Sequence, residues 1–219
     1  MKTSSMLDFI EEAPFNGKAP KKIMIFLHGY ASNKEDLFTL KDSFLDVLPD
    51  TQFISVDAPH ECEFGGDGRQ WFSLKSMDII HIMQEMKEHY KILNEFITAQ
   101  IKRFNLQAKD VILVGFSQGS MMALYASLRY PEKLFAIISF SGVLADNPTN
   151  LGNELKSNQN ILLIHGSDDK IVPYEYLYRT EKLLRSFDIN FTSYTCFGLE
   201  HQISLEGISK AREYLLNLL

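Results

Sequence analysis

Gly115-Phe116-Ser117-Gln118-Gly119 lies at the point where a buried-strand pattern changes into a helix pattern. Residues 110–114 predict a buried strand, and residues 120–126 predict the start of a helix. A serine on the tight turn between them must adopt a strained backbone. A Cβ at Gly115 or Gly119 would clash with the neighbouring strand or helix, so glycine at both positions leaves room for the turn. The pattern predicts a nucleophile elbow, in which the Ser117 hydroxyl projects from the sheet edge with a helix N-terminus directly behind it. The alternative is an ordinary turn serine flanked by glycines.

Length and composition predict one domain over residues 1–219, since a single core serves chains of up to roughly 250 residues. The net charge of −6 and the lack of a basic cluster argue against nucleic acid as a partner. No stretch reaches the roughly 18 apolar residues that a membrane span needs. Cys62 and Cys196 lie far apart and indicate neither a disulfide framework nor a metal site. Residues 1–10 lack a signal-peptide pattern, so we expect a cytoplasmic protein, and no cofactor is expected.

Strand-like and helix-like segments alternate along the chain. The predicted strands cover residues 23–27, 52–56, 110–114, 135–140, 160–165 and 190–197. The predicted helices cover residues 36–48, 84–104, 120 onward, 174–187 and 204–218. This alternation predicts an α/β fold, with a mostly parallel central sheet, helices on both faces and no large cap domain. Ligands of such sheets bind beyond the carboxyl ends of the strands, which is where the candidate catalytic residues lie.

Ser117 needs a general base, because a serine hydroxyl is a weak nucleophile at neutral pH. His201 is the best of the six histidines, since it lies in a polar loop between the last strand and the last helix. His28 and His165 each precede a glycine directly after a strand, where an imidazole more naturally braces the loop by hydrogen bonds. We expect His81 and His89, which lie in or next to the long predicted helix, to face solvent. The sixth histidine, His60, follows a predicted strand.

A buried carboxylate must orient the imidazole and stabilise its protonated form. The segment after the predicted strand at 160–165 offers two adjacent candidates, Asp168 and Asp169. One of them can face the site while the other caps the helix or meets solvent, and spacing alone does not choose between them. The chain order serine, aspartate, histidine is that of α/β hydrolases, so an α/β-hydrolase fold is predicted.

The developing oxyanion needs two backbone N–H donors. One is expected from Gln118, the residue after the nucleophile, at the helix N-terminus. The other is expected from the first strand–loop junction, His28-Gly29-Tyr30. Each such donor lowers the barrier by roughly 3 kcal/mol.

These residues resemble the phospholipase/carboxylesterase family of α/β hydrolases, which includes the acyl-protein thioesterases. The resemblance covers nearly the whole chain through motifs that occur in the family's order. They are Phe26-Leu27-His28-Gly29, Asp36-Leu37, Trp71-Phe72, the elbow pentapeptide, His165-Gly166, Asp169 with Val172-Pro173, and His201. The resemblance implies Asp169, at the fifth position of His-Gly-x-x-Asp, as the catalytic carboxylate and Tyr30 as the loop oxyanion donor.

Three positions depart from the family's pattern, and none of them removes a catalytic group. Ser120 stands where a second glycine is frequent, and Ala31 stands where many members have glycine. Ser73 stands where the animal thioesterases have aspartate after Trp-Phe. The departures bear on the substrate rather than on the chemistry.

The sequence therefore predicts a serine carboxylic-ester hydrolase with a Ser117–Asp169–His201 triad that acts through an acyl-enzyme. By resemblance, the expected substrates are small esters with short to medium acyl chains, and lysophospholipids or protein thioesters are the alternatives. An acyltransferase or peptidase would share the acyl-enzyme. A non-catalytic binding module on the hydrolase fold is the alternative from another class.

The substrate pocket is expected to draw on residues 60–80 and on the loops near Tyr30 and Leu144. Trp71, Phe72 and Leu144 are the expected substrate-binding residues, although a buried aromatic ring is also common in a core. We expect a small acyl ester or lipid-like molecule as the partner, without stable membrane insertion. We expect the protein to be a monomer or a homodimer.

Overall fold

Seven strands form one sheet in the computed structural model, which describes residues 7–76 and 78–219. Most of the terminal segment assessed for a signal peptide, residues 1–6, therefore lies outside the described residues, as does Met77. The strands in chain order are β1 (Phe9–Glu12), β2 (Lys22–Leu27), β3 (Thr51–Val56), β4 (His60–Glu61), β5 (Arg69–Gln70), β6 (Val111–Phe116), β7 (Ala136–Phe140), β8 (Ile161–Gly166) and β9 (Phe191–Cys196). The order across the large sheet is β1-β3-β2-β6-β7-β8-β9, and β4 and β5 form a separate antiparallel pair.

The large sheet is parallel except at one edge, where β1 pairs antiparallel with β3. Parallel neighbours require crossover connections, and helices supply most of them. The helices in chain order are α1 (Lys34–Phe38), α2 (Ile79–Phe104), α3 (Gln118–Leu128), α4 (Pro148–Glu154), α5 (Glu175–Arg185) and α6 (Leu205–Leu216). The predicted α/β-hydrolase architecture, with its mostly parallel sheet and without a large cap, is confirmed.

Alternating side chains of the central strands fill two separate cores. Ile23 and Ile25 of β2 belong to the core cluster that also contains side chains of α2, α3 and α5. Met24 and Phe26 point to the opposite face and belong to the cluster that contains side chains of α6. Because successive strand residues face opposite sides, an unbroken apolar run is what a sheet covered on both faces requires.

The structure differs from the sequence-based expectation around residues 36–48. In place of one helix, α1 ends at Phe38 and a 3-10 turn over Thr39–Ser43 follows. Phe44 and Leu48 are buried in the second core cluster, so packing on the sheet rather than helical periodicity decides the path of this segment.

The edge strand β1, the short pair β4–β5 and helix α4 were not predicted. The first has the mixed sequence Phe-Ile-Glu-Glu at a sheet edge, where no continuous apolar run is needed. Helix α4 does carry a sequence signal, because Asn147 caps it and proline occupies its first turn.

The first turn of α3 packs closely against the carboxyl end of β2. A Cβ added to Gly119 would overlap the carbonyl oxygens of Leu27 and His28. A Cβ added to Gly115 would lie 2.5 Å from the Cα of Ser120 at the other side of the turn. The expectation that both glycines are sterically required is confirmed.

We predict that Gly119→Ala lowers the free energy of unfolding by about 1–3 kcal/mol, because backbone atoms of β2 must shift to admit the methyl group. The matched control is Gly152→Ala in α4, where the new Cβ would meet only the edge of the Phe187 ring. Alanine also favours the helix there by up to about 1 kcal/mol. Urea unfolding of both variants checks the prediction, and equal midpoints for the two would contradict it.

Candidate active site

Ser117 occupies a strained turn between β6 and α3. Its φ of +52° and ψ of −119° lie in a region that residues with a side chain rarely adopt. The Ser117 backbone N–H donates to the Phe140 carbonyl at 2.9 Å, which ties the turn to the neighbouring strand β7. The side chain is 8% exposed, and α3 begins at the next residue. The hydroxyl therefore stands at the positive end of a helix, as an elbow requires.

A continuous hydrogen-bond relay joins three loops at the carboxyl edge of the sheet. The Ser117 hydroxyl donates to His201 Nε2 at 2.9 Å, and His201 Nδ1–H donates to Asp169 Oδ2 at 2.7 Å. These donor roles follow from the tautomer that the acceptor carboxylate imposes on the ring. The serine follows β6, the aspartate follows β8 and the histidine follows β9. Parallel strands bring their carboxyl ends together, which explains how residues far apart in sequence meet here.

The geometry distinguishes the two adjacent aspartates that spacing could not. Asp169 is only 5% exposed, and its Oδ1 accepts hydrogen bonds from the backbone N–H groups of Ile171 at 2.9 Å and Val172 at 2.8 Å. Its second oxygen is thereby aimed at the imidazole. Asp168 is exposed and accepts from the hydroxyl of Ser167 at 2.7 Å. The carboxylate that contacts the ring is that of Asp169.

The two buried His-Gly histidines brace their loops. His28 Nδ1–H donates to the carbonyl of Gly29 at 2.7 Å, and its Nε2 accepts from the N–H of Ala58 at 3.0 Å. His165 Nε2–H donates to the Val172 carbonyl at 2.8 Å. Burial lowers the pKa of both imidazoles, mainly through desolvation of the charged form. Neutral rings that hydrogen-bond to loop backbone, through both nitrogens in His28 and through Nε2 in His165, suit the expected bracing role.

The expectation that His81 and His89 face solvent is wrong. Both lie on α2 and are half-buried. His89 Nδ1 lies 3.2 Å from Nε2 of His60 on β4, with the ring centroids 4.5 Å apart. Glu85 of the same helix accepts a hydrogen bond from the N–H of Ser73 at 2.8 Å, so residues 60–73 contact α2 near His89.

The two N–H groups expected as oxyanion donors belong to different elements, the loop after β2 and the N-terminus of α3. Within the described residues, neither the N–H of Tyr30 nor that of Gln118 has a hydrogen-bond partner. A Cβ added to Gly29 would lie 3.4 Å from Cβ of Ser117 and 3.2 Å from the Phe116 ring, so the loop after β2 approaches the serine closely. Both N–H groups are thus unengaged in the described residues, as oxyanion donors must be, and their role in an oxyanion hole stays a prediction.

The three positions that depart from the family's pattern have structural explanations. Ala31 has a φ of +59°, in the left-handed region that favours the glycine many relatives carry there. The buried hydroxyl of Ser120 forms a short hydrogen bond with that of Ser139. Ser73 donates to Glu63 Oε2 at 2.9 Å. Each change is accommodated without contact with the relay.

The three residues expected to bind substrate all belong to the larger core cluster, and Trp71 is only 2% exposed. Leu144, unlike Trp71 and Phe72, also lines an apolar hollow of about 400 Å³ together with Tyr176 and Leu183. Their role in substrate binding stays a prediction.

A second hollow, of about 310 Å³, adjoins the relay itself. His201, Gly29 and Phe116 line it, and the Phe116 ring packs on the imidazole with a centroid separation of 4.9 Å. The acidic side chain of Asp36 lies on its outer wall and accepts a hydrogen bond from Ser32 at 2.7 Å. A group bound in this hollow would lie against the ring that is hydrogen-bonded to the serine.

Hydrogen bonds of Gln118 and Trp71 were not predicted from the sequence. The Gln118 amide bonds to the backbone of Trp71 and Phe72, and the indole N–H of Trp71 bonds to the backbone of His28. A glutamine after a nucleophile predicts only a backbone role. No local pattern indicates where its side chain goes, because its partners lie far away in sequence.

Two further features bear on the kind of site. In the part of the chain that the structure describes, no three His, Cys, Asp or Glu side chains are grouped to hold a metal ion. Among the helices described, none has both the length and the apolar character needed to cross a membrane.

Comparisons with known proteins agree with this geometry. The sequence profile of the Phospholipase/Carboxylesterase family matches residues 11–219. The crystal structure of esterase PE8 is similar with a TM-score of 0.92 and 34% sequence identity, over 97% of this chain and 99% of that chain. Acyl-protein thioesterase 1 of Candida albicans is 24% identical over 94% of this chain and 95% of its own length. Esterase YpfH of Escherichia coli is 24% identical over 94% of this chain and 86% of its own length.

The profile match covers nearly the whole chain, including the elbow, both histidine-glycine loops and the last helix. The fold and its hydrogen-bonded serine, histidine and aspartate are those expected of the serine esterases and thioesterases in this family. This chain belongs to the phospholipase/carboxylesterase family of α/β hydrolases.

Proposed function

We propose that this protein is a serine carboxylic-ester hydrolase that cleaves small esters with short to medium acyl chains through an acyl-enzyme. The observation that carries the proposal is the relay from Ser117 through His201 to Asp169, with hydrogen bonds of 2.9 and 2.7 Å. The relay begins at a strained elbow and ends at a carboxylate whose other oxygen is held by two backbone N–H groups. A purely structural serine has no need of this arrangement.

In the proposed reaction, Ser117 Oγ adds to the carbonyl carbon of the substrate while its proton passes to His201 Nε2. Asp169 keeps Nδ1 of the ring protonated and stabilises the imidazolium that forms. The imidazolium then gives its proton to the leaving oxygen or sulfur as the bond to the acyl carbon breaks. Water attacks the acyl-enzyme with the same histidine as base, which releases the acid and restores the hydroxyl.

The tetrahedral intermediate carries a negative charge on the former carbonyl oxygen. We propose that the backbone N–H groups of Gln118 and Tyr30 receive it, supported by the N-terminus of α3. Both donors lie in a partly buried site, where a charge–dipole interaction is stronger than in water. Neither donor needs to break an existing bond, since both are free in the described part of the chain.

Substrate size is proposed from two hollows, one against His201 and one at Leu144. The hollow of about 310 Å³ against His201 is at the lower end of the range for small-molecule pockets, so it favours a compact group. The hollow at Leu144 is apolar and is proposed to take part in acyl binding, and Trp71 and Phe72 are proposed to shape the pocket.

An acyl-protein thioesterase or lysophospholipase is the second candidate. It is favoured by the names of two similar fungal proteins, the acyl-protein thioesterases 1 of Candida albicans and Kluyveromyces lactis. The same acyl-enzyme would serve both candidates, because only the leaving group differs.

The cysteines bear on the compartment in which the enzyme acts. Cys62 and Cys196 are buried free thiols, which suits a reducing environment. We propose that the protein acts in the cytoplasm as a monomer or homodimer formed from one domain per chain.

We predict that Ser117→Ala lowers kcat for a chromogenic butyryl ester by roughly 10⁴-fold or more, because the acyl-enzyme no longer forms. The measurement is initial-rate kinetics on both proteins, with circular dichroism to show that the variant is folded. Equal rates for wild type and variant would end the proposal.

The two aspartates give a sharper test, because they are adjacent and undergo the same change. Asp169→Asn should lower kcat by roughly 10³- to 10⁴-fold, since an amide favours the wrong imidazole tautomer. Asp168→Asn, which alters an exposed carboxylate outside the relay, should leave kcat close to that of the wild type. If Asp168→Asn is instead the variant with the strongly reduced kcat, the assignment of Asp169 as the catalytic carboxylate is wrong.

A panel of substrates separates the two candidate functions. We predict that kcat/KM for butyryl and hexanoyl esters exceeds that for the palmitoyl ester, because the hollow against His201 is small. Palmitoyl thioesters and lysophosphatidylcholine are assayed alongside at equal concentration. Faster turnover of the palmitoyl thioester than of any short ester would favour the thioesterase.

A further inference from the structure

The side chain of Gln118 joins two segments that are remote in sequence. Gln118 is 2% exposed, and its Oε1 accepts the backbone N–H of Trp71 at 2.8 Å. Its Nε2–H donates to the carbonyl of Phe72 at 2.8 Å. A glutamine can do both because its amide carries an acceptor and a donor, whereas glutamate lacks the donor and methionine lacks both.

Trp71 continues the connection to the loop that carries Tyr30. Its indole Nε1–H donates to the carbonyl of His28 at 2.9 Å, and the two rings lie 5.9 Å apart between centroids. The ring is buried in the larger core cluster, so the position of the N–H is fixed by packing. His28 is in turn held on its other side by the N–H of Ala58.

Strand β5 binds the same loop through its backbone. The N–H of Ala31 donates to the carbonyl of Arg69 at 2.9 Å, and the N–H of Arg69 donates to the carbonyl of Ser32 at 2.8 Å. Gly68 approaches so closely that an added Cβ would overlap the Ala31 carbonyl. Residues 68–72, which we call the splint, thus form three hydrogen bonds with the loop and two with the side chain of Gln118.

We propose that the side chains of Gln118 and Trp71 are positioning residues that fix the separation of the two oxyanion donors through the splint. This inference rests on the proposed function, since it concerns the site at which the oxyanion forms. The donors belong to separate elements: the N–H of Gln118 is on α3 and that of Tyr30 is on the loop after β2. The splint is bonded to both elements on one side of the site.

Donor spacing matters because an oxyanion is stabilised only by N–H groups within about 2.7–3.1 Å of it. A loop that drifts by a fraction of an ångström weakens one donor in the transition state and changes ground-state binding little. Loss of the splint should therefore lower kcat more than it raises KM. If Gln118 served stability alone, its replacement would not lower kcat more than it raises KM.

The chain contains a matched control for a buried glutamine. Gln159 is 0% exposed, its Oε1 accepts the N–H of Leu134 at 2.8 Å, and its Nε2–H donates to the carbonyl of Ser127 at 2.8 Å. Its Nε2–H groups also donate to the carbonyl of Glu132 at 3.3 Å and to the hydroxyl of Ser157 at 2.6 Å. Gln159 precedes β8, so it lies at the amino edge of the sheet and away from the relay. Its replacement should disturb folding to a similar extent without reaching the donors.

The experiment compares Gln118→Met with Gln159→Met in the full chain. For each variant we would measure kcat and KM for a butyryl ester and inhibition by a trifluoromethyl ketone, which forms a tetrahedral oxyanion on the serine. Inhibition by butyrate, the planar product, and the urea unfolding midpoint complete the set. Gln118→Met should lower kcat and the affinity for the ketone by roughly 10- to 100-fold, less than the full loss of a donor. Its KM and its affinity for butyrate should stay near the wild-type values.

Gln159→Met shows the effect of losing a buried glutamine away from the relay. This substitution should lower the urea unfolding midpoint while kcat and the affinity for the ketone remain near those of the wild type. If both variants lose stability and both keep wild-type kcat and ketone affinity, the positioning role is overturned.

Two further variants keep the inference testable if Gln118→Met does not fold. Gln118→Glu retains the size and can donate only when protonated, so its kcat relative to that of the wild type should rise as the pH falls. Trp71→Phe removes the indole N–H, and together with Gln118→Glu its effect on kcat should be less than multiplicative. The inference would be overturned if the ratio of the Gln118→Glu kcat to the wild-type kcat did not change with pH. It would also be overturned if the effects of Trp71→Phe and Gln118→Glu on kcat multiplied fully in the double variant.

Failure of the proposed function gives a different result. In that case the wild type itself would hydrolyse no ester and would not react with the ketone, which would overturn both proposals together. An active wild type with an unaffected Gln118→Met would overturn only the role of the splint.

Discussion

The close packing of the first turn of α3 on the carboxyl end of β2 is the constraint on which the site depends. Gly119 lies against the carbonyl oxygens of Leu27 and His28, and Gly115 lies against the backbone of Ser120. With both glycines in place, the chain turns within one residue, and that residue is Ser117 with a φ of +52°. The same contact brings the loop after β2 next to the serine. One steric fit thus sets the positions of Ser117, of the N-terminus of α3 and of the loop after β2.

Features that follow from local sterics or strand order were predictable from the sequence. The elbow was one, since glycines at both ends of a strand–helix turn have few other uses. His201 was another, because position after the last strand places it at the same sheet edge as Ser117. Asp169 could not be separated from Asp168 by spacing, because what distinguishes them is burial and the backbone N–H groups that hold Asp169, and both depend on how the loop folds. The splint escaped prediction because its strand spans two residues and its partners lie far along the chain.

The relay and the outer walls of the hollows are built by different segments of the chain. The relay sits on loops that leave a parallel sheet buried on both faces, and buried histidines and backbone bonds hold those loops. The hollow against His201 is lined on its outer side by Asp36 and Leu37 of α1, and a separate hollow lies between α5 and the loop at Leu144. Changes at Ala31, Ser120 and Ser73 relative to the family fall outside the relay, so they are compatible with its chemistry. This separation explains how relatives named esterase and acyl-protein thioesterase can share one fold.

The central claim is that Ser117 is a nucleophile activated by His201 and Asp169. Labelling with a fluorophosphonate, followed by intact mass and peptide mapping, tests it most directly, because this reagent captures only an activated hydroxyl and requires no knowledge of the substrate. The account predicts one adduct per chain, located on Ser117, and a strongly reduced rate of labelling in Asp169→Asn. An adduct on another residue, or ester hydrolysis that continues in protein whose Ser117 is fully labelled, would contradict it.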